Sequence, residues 1–187
     1  MKITTRTLAG TALLAALVVV FDYALKYSNL KIIFPWLPYL KFDFTGIPIV
    51  LATLLFGLIP GVITSAVASI AILARSGDVL GSSMKGLAEF STILGLAIGL
   101  KLFNRFKVAG SSILGIVSRV FIMTIVNITL VYAVVLSIPS SLVNAPFLWI
   151  LLVGIFNTIQ GAISIIGGFF IYAAIRKRVP SIIKKTK

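Results

Sequence analysis

Six apolar stretches separated by short polar or basic segments organise the chain. The first run, Leu8–Leu25, follows Lys2 and Arg6. Its basic start resembles a secretory signal, but five further apolar segments follow, so it reads as a retained first span. Residues 27–46 (YSNLKIIFPWLPYLKFDFTG) hold Pro35, Pro38, lysines and six aromatics. They are too interrupted for a span and too aromatic for a slack linker. Ile47–Ile59 and Val62–Ala74 then flank Pro60-Gly61. Each half supplies roughly 20 Å of helix, short of a hydrocarbon core of about 30 Å. Because Pro-Gly is a strong breaker, a hairpin of two short helices is predicted there in preference to one kinked helix. Residues 75–86 (RSGDVLGSSMKG) read as a polar connection, Leu87–Phe103 as the fourth span and Asn104–Gly110 as a basic loop. Ile113–Ser137, interrupted by Arg119, is the fifth span. Ile138–Pro146 is an uncharged turn, Phe147–Ile175 the sixth span, and RKRVPSIIKKTK closes the chain. No internal repeat is evident, which gives no support to a carrier built from two equal halves.

Composition turns this pattern into a class. Of 187 residues, 59% are hydrophobic and only 11% are charged, with a mean hydropathy of +1.15. Soluble domains are about 45–50% apolar and about 25% charged. A soluble globular domain and a disordered chain are both excluded. The expectation is an all-α integral membrane protein, a single domain over 1–187, with six transmembrane helices in one bundle in the cell (plasma) membrane.

The formal charge of +13 comes from 17 Lys and Arg against four acids. The basic residues cluster between and after the apolar runs, a pattern of topology signals and anionic lipid contacts, so no nucleic-acid partner is expected. Eleven of the 17 lie on the side holding both termini and the 101–107 loop, and five on the other, with Arg119 inside a span. The positive-inside rule then makes both termini cytoplasmic and turns the aromatic 27–46 loop outward. The absence of Cys and His removes thiol, zinc and imidazole chemistry. The acids Asp22, Asp43, Asp78 and Glu89 stand too far apart in sequence for a local metal cluster, so no metal site is expected. No GxxxxGK[ST] is present.

Against this apolar background a few polar residues stand out, and polar groups inside spans are functional candidates by default. Asn127 in the fifth span and Asn157 in the sixth each fall roughly 15 Å below the outer surface. Gln160 shares a helix face with Asn157. Glu89 enters the fourth span from the same side. Each amide could instead only bridge helices, but matched depth beneath an aromatic cover favours a ligand pocket. Glu89 could pair with Lys85 one turn earlier. Arg119 lies toward the cytoplasmic side and reads as snorkelling or pairing.

Residues 41–45 alternate as an extended segment does, with Phe42 and Phe44 facing one way and Lys41, Asp43 and Thr45 the other. Trp36, Tyr39, Phe42 and Phe44 could supply flat faces for a planar heteroaromatic ligand. An interfacial aromatic belt explains Trp36 and Tyr39 well but the ordered LKFDF run poorly. Small-residue spacings, Ala12-x-x-x-Ala16 and Gly95-x-x-x-Gly99, permit close helix contact.

The segment Pro38-Tyr-Leu-Lys-Phe-Asp-Phe-Thr-Gly-Ile-Pro48, followed by LLFGLIPG at 54–61, resembles the substrate-binding S component of energy-coupling factor (ECF) vitamin transporters. The subgroup it most resembles is the riboflavin-binding one. Met123-Thr-Ile-Val-Asn127 is similar to that subgroup's fifth-helix Met-x-x-x-Asn, and Phe156-Asn-Thr-Ile-Gln-Gly161 to its sixth-helix Phe-Asn-x-x-Lys-Gly. Three positions depart from the pattern: Gly46 stands for the usual Asp, Gln160 for the usual Lys, and Glu89 where Asn is commoner.

The resemblance implies a high-affinity vitamin-binding subunit that does no chemistry. Riboflavin or a related flavin is then the transported ligand, with no cofactor. Pyridoxine-like, folate and cobalamin ligands are the alternatives within the family. The candidate substrate-binding set is Tyr39, Leu40, Lys41, Phe42, Asp43, Phe44, Thr45, Lys85, Glu89, Asn127, Asn157 and Gln160. Family analogy puts Ala12 and Ala16 on the surface that meets a separate membrane-coupling (T) subunit, with two ATPases as further chains. A reading from another class is a small channel or membrane-assembly subunit without a ligand. A membrane enzyme is disfavoured by the missing nucleophile, His and acid cluster.

Overall fold

The computed structural model describes residues 4–133 and 146–179. The outer end of the expected fifth span, most of the uncharged turn before the sixth, and the tail from 180 onward lie outside the described residues. Helix α1 runs Thr5–Tyr27, capped by the Thr4 side chain, which accepts the Thr7 N–H at 3.2 Å. Two short strands follow, β1 at Ile32–Ile33 and β2 at Lys41–Phe42, paired antiparallel with Ile32 opposite Phe42. Helices α2 (Gly46–Phe56), α3 (Leu58–Ser76), α4 (Val79–Leu102), α5 (Lys107–Ala133) and α6 (Pro146–Arg178) complete the described order.

Five of these helices are long and apolar enough to cross a membrane. The sixth, α2, has 11 residues, about 16 Å of helix. It enters the bundle without spanning it alone, and its Ile49, Val50 and Ala52 are wholly buried.

The hairpin expected at Pro60-Gly61 exists, but it breaks earlier. The chain reverses at Gly57, whose φ of 98° is open only to glycine without strain. Pro60 sits in the first turn of α3, where a missing N–H leaves no helix bond unmade. That α2 and α3 fold back on each other is shown at Gly61, where an added Cβ would collide with the Thr53 hydroxyl. A second correction concerns residues 79–86. They are helical rather than a connection, because Asp78 caps α4 by accepting the Gly81 N–H at 2.8 Å. This puts Lys85 on the same helix as Glu89.

Lipid supplies little hydrophobic drive between helices, so close packing of small residues matters. Gly95 and Gly99 serve α4 in this way. Their faces lie against Leu114, Gly115 and Ser118, and against Ser111, of α5, where any Cβ would clash with backbone. The central core joins Val18, Val50, Ile93, Leu96 and Ile165 from α1, α2, α4 and α6. Helix α1 is thus an integral part of the bundle.

Successive helices alternate in direction. The start of α1, the end of α2 and the end of α6 therefore share one end of the bundle, where Leu14, Leu55, Phe56, Tyr172 and Ile175 cluster. The loop between α1 and α2 occupies the opposite end. It has its own core: Phe34 and Leu37 are buried against Trp149, Val153 and Phe156 of α6. Phe42 stacks on Phe156 with ring centroids 4.8 Å apart, and Phe34 meets Phe42 edge-on at 5.8 Å. The 41–45 segment begins extended, as expected, but the two phenylalanines do not share a face. The strand ends at Phe42, so alternation lapses: Phe42 packs inward and Phe44 points out.

Candidate functional site

Beneath this loop lies a cavity of 770 Å³, inside the range of roughly 300–1,000 Å³ typical of small-molecule sites. Its walls come from the loop and from α1, α3, α4, α5 and α6. Tyr39, Trp149 and Phe156 give it aromatic faces, and Asn127 and Asn157 give it amides. The indole of Trp149 donates to the Tyr39 hydroxyl at 2.8 Å, which fixes both rings. Burial pushes the Tyr39 phenol above its ordinary range, against the opposing pull of that hydrogen bond.

Ion pairs hold the cavity together. Asp22, at the end of α1, is buried between Lys31 of the loop at 2.5 Å and Arg75 of α3 at 2.6 Å. Asp43 receives Lys85 Nζ at 2.8 Å, and the same ammonium reaches Glu89 Oε1 at 2.9 Å. Arg119 closes the series, meeting the same Glu89 oxygen at 3.1 Å. Four helices, α1, α3, α4 and α5, and the loop are thereby tied through carboxylates almost sealed from solvent. Removing one partner of such a pair costs about 3–5 kcal/mol, because it strands a buried charge.

Asp43 is also held locally. Its Oδ1 accepts from the Thr45 hydroxyl at 2.7 Å and from the Thr45 amide at 3.2 Å, an Asx-type turn that leads into α2. Burial pushes the Asp43 carboxyl up. The charge and hydrogen bond of Lys85, the Thr45 hydroxyl and the charge of Lys31 more than offset this, and hold it below the usual carboxylate range.

The residues singled out from sequence divide into two groups. Tyr39, Leu40, Lys41, Asp43, Lys85, Asn127 and Asn157 line the cavity. The others stand behind or beside it. Glu89 is fully buried in the ion-pair series. Thr45 is buried on Asp43, and Phe42 is committed to the loop core. Phe44 is exposed on the outer face, as is Trp36. Gln160 spends both ends of its amide on the Asp43 backbone, accepting its N–H at 3.2 Å and donating to its carbonyl at 2.9 Å.

Of the two readings of Arg119, pairing holds and snorkelling does not: it is 1% exposed, bonded to Asn157, Glu89 and Thr92, and it lines the cavity. Arg75, Met123, Trp149, Val153 and Phe156 are further lining residues outside the candidate set, although Met123 and Phe156 open the helix motifs at 123–127 and 156–161. A signal was present. Trp149, Val153 and Asn157, like Arg119, Met123 and Asn127, repeat every four residues, so each amide marked a whole helix stripe.

No protein-family model matches the chain, and no curated protein matches it. Among solved structures it is similar to one described as "Structure and mechanism of the S component of a bacterial ECF transporter". The two share 25% sequence identity and superpose with a TM-score of 0.70, over 96% of this chain and 98% of the other. Taken with the apolar bundle, the correspondence shows a multi-pass membrane protein with the fold of an ECF-transporter S component.

Proposed function

We propose that the chain is the vitamin-capturing subunit of an ECF-type importer and that its ligand is riboflavin or a related flavin. The observation that carries this reading is the cavity, which sets three aromatic faces, Tyr39, Trp149 and Phe156, beside two buried or half-buried amides, Asn127 and Asn157. A tricyclic heteroaromatic needs flat apolar contact for its rings and amides for its carbonyls, ring nitrogens and hydroxyls. The sequence motifs at 38–48, 123–127 and 156–161 support the flavin choice within the family.

The chain itself captures and does not hydrolyse. A T-type membrane subunit and two ATPases, as separate chains, are the expected partners, with the lipid bilayer as solvent. Ala12 and Ala16 are exposed on one face of α1, beside the exposed Leu13. That face is open for a partner helix. The charge asymmetry along the chain turns the cavity end outward, so that capture precedes transport.

Purified protein tests the reading. Retained flavin gives a yellow preparation, and riboflavin added to stripped protein quenches tryptophan emission. A colourless preparation with no quenching overturns the flavin assignment. A channel or assembly subunit predicts that no vitamin raises the thermal stability of the chain, whereas a binder predicts a rise that Asn157→Ala abolishes.

A further inference from the structure

The bonding of Arg119 leaves part of its guanidinium unused. Its Nε donates to Asn157 Oδ1 at 3.1 Å. Its Nη1 donates to Glu89 Oε1 and to Thr92 Oγ1, each at 3.1 Å, and lies 3.5 Å from the Ala88 carbonyl. Nη2 has no partner among the described residues. Nor is it sealed: the one side-chain polar atom both sealed and unbonded among the described residues is Glu89 Oε2. Since Arg119 lines the cavity and is otherwise enclosed, the opening at Nη2 is the cavity itself.

Asn157 is fixed in the same direction. A guanidinium can only donate, so the oxygen of the Asn157 amide must face Arg119. Its nitrogen donates to the Val153 carbonyl at 2.9 Å. One N–H of that nitrogen remains. The two residues therefore bring donors, and no free carboxylate, to one part of the cavity wall. Charge is balanced there, with Lys85 and Arg119 facing Asp43 and Glu89. A balanced site with spare donors suits a neutral oxygen acceptor rather than a full anion. A ligand that fills the cavity and leaves this donor unmet would bear a desolvation cost, so one that places an acceptor there is favoured.

We infer that Arg119 is a ligand-binding residue, and that its Nη2, with the spare N–H of Asn157, recognises a carbonyl oxygen at the buried end of the ligand. This rests on the S-component reading and narrows the ligand to one that leads with a carbonyl, as the fused ring of a flavin can.

The test compares wild type with Arg119→Lys, which keeps the charge beside Glu89 and loses the planar fork. Riboflavin is the probe, titrated against tryptophan emission, with melting temperature of the ligand-free protein as the control for folding. The inference predicts an affinity at least 30-fold weaker in Arg119→Lys, with the ligand-free melting temperature little changed. Affinity within threefold of wild type overturns it. If wild type ignores riboflavin but retains another small molecule, the flavin reading fails, and the comparison is made by mass spectrometry of what each protein retains. Equal retention overturns the inference and selective loss supports it. If Arg119→Lys does not fold, a ligand-bound structure of wild type decides: a ligand oxygen within hydrogen-bond distance of Nη2 supports the inference, and a ligand carbon there overturns it. A wild type that retains no small molecule and is stabilised by no vitamin overturns both readings.

Discussion

Gln160 clasps the backbone of Asp43 from α6, accepting its N–H at 3.2 Å and donating to its carbonyl at 2.9 Å. The pair lies 117 positions apart in sequence, and it fixes the loop against the helix that carries Asn157. One amide side chain thus does what a neighbouring strand would do. Replacing it with Leu leaves two buried backbone groups unmet, at about 1–3 kcal/mol each. Gln160→Leu is expected to speed hydrogen exchange at residues 41–45 and to shorten ligand residence, with less effect on exchange in α4 and α5. Hydrogen-exchange mass spectrometry with and without ligand reads both.

Gly46 opens α2 where no side chain fits. An added Cβ would collide with the Ser164 hydroxyl and would lie 2.7 Å from Glu89 Oε2. Gly46→Ala should lower stability by about 1–3 kcal/mol, the usual penalty for overpacking. Adding Ser164→Ala removes the nearest of the three obstructing atoms, the hydroxyl, while the residue-164 Cβ at 2.8 Å and Glu89 Oε2 remain. It should restore part of the loss, a coupling that thermal melts of the single and double variants can measure.

The two tryptophans separate cleanly. Trp149 is 6% exposed and lines the cavity, whereas Trp36 is 64% exposed on the loop's outer side. Quenching by a bound flavin should vanish in Trp149→Phe and persist in Trp36→Phe. Emission titrations of the two variants decide between binding in the cavity and adsorption to the outer surface.

Asp43 makes stability depend on acidity in one direction. Its folded pKa is depressed, so the folded state binds fewer protons than the unfolded one. The stabilisation it supplies is full above its unfolded value of about 3.9, and is lost as pH falls from there through the lower folded value. Asp43→Asn should reduce the melting temperature at neutral pH and flatten the acid limb of the stability profile. A wild-type acid limb that is unchanged in the variant would count against this role.

How much of this was legible in the sequence follows from the range of the interactions involved. Apolar runs announce spans because lipid demands them locally, and the run-by-run reading placed the helices well. Boundaries failed where a single residue overrides the pattern. Gly57 takes the turn that Pro60-Gly61 advertised, and Asp78 starts α4 eight residues before the apolar stretch begins. Within the site, Asn127 and Asn157 were conspicuous because amides are rare in spans. The role of Gln160 was not visible, since it depends on a backbone 117 positions away. For Arg119 the sequence left snorkelling and pairing open; the partner, Glu89 on another helix, lets the guanidinium stay at depth without snorkelling and was not legible locally.

Ala12 and Ala16 form a smooth exposed face on α1. Bulky substitutions there should leave ligand affinity intact and lower uptake in cells that carry the coupling and ATPase subunits. Transport assays paired with binding titrations of the purified chain distinguish a docking defect from a damaged site.

The central claim is that this chain alone, without partner subunits, binds a heteroaromatic vitamin in the cavity under its loop. Calorimetric titration of purified chain with riboflavin, pyridoxine, folate and cobalamin tests it most directly. The account predicts saturable one-to-one binding of one of these, riboflavin first, that is abolished by Asn157→Ala in a protein that remains folded. Absence of binding by all four, or binding that survives Asn157→Ala undiminished, would contradict it.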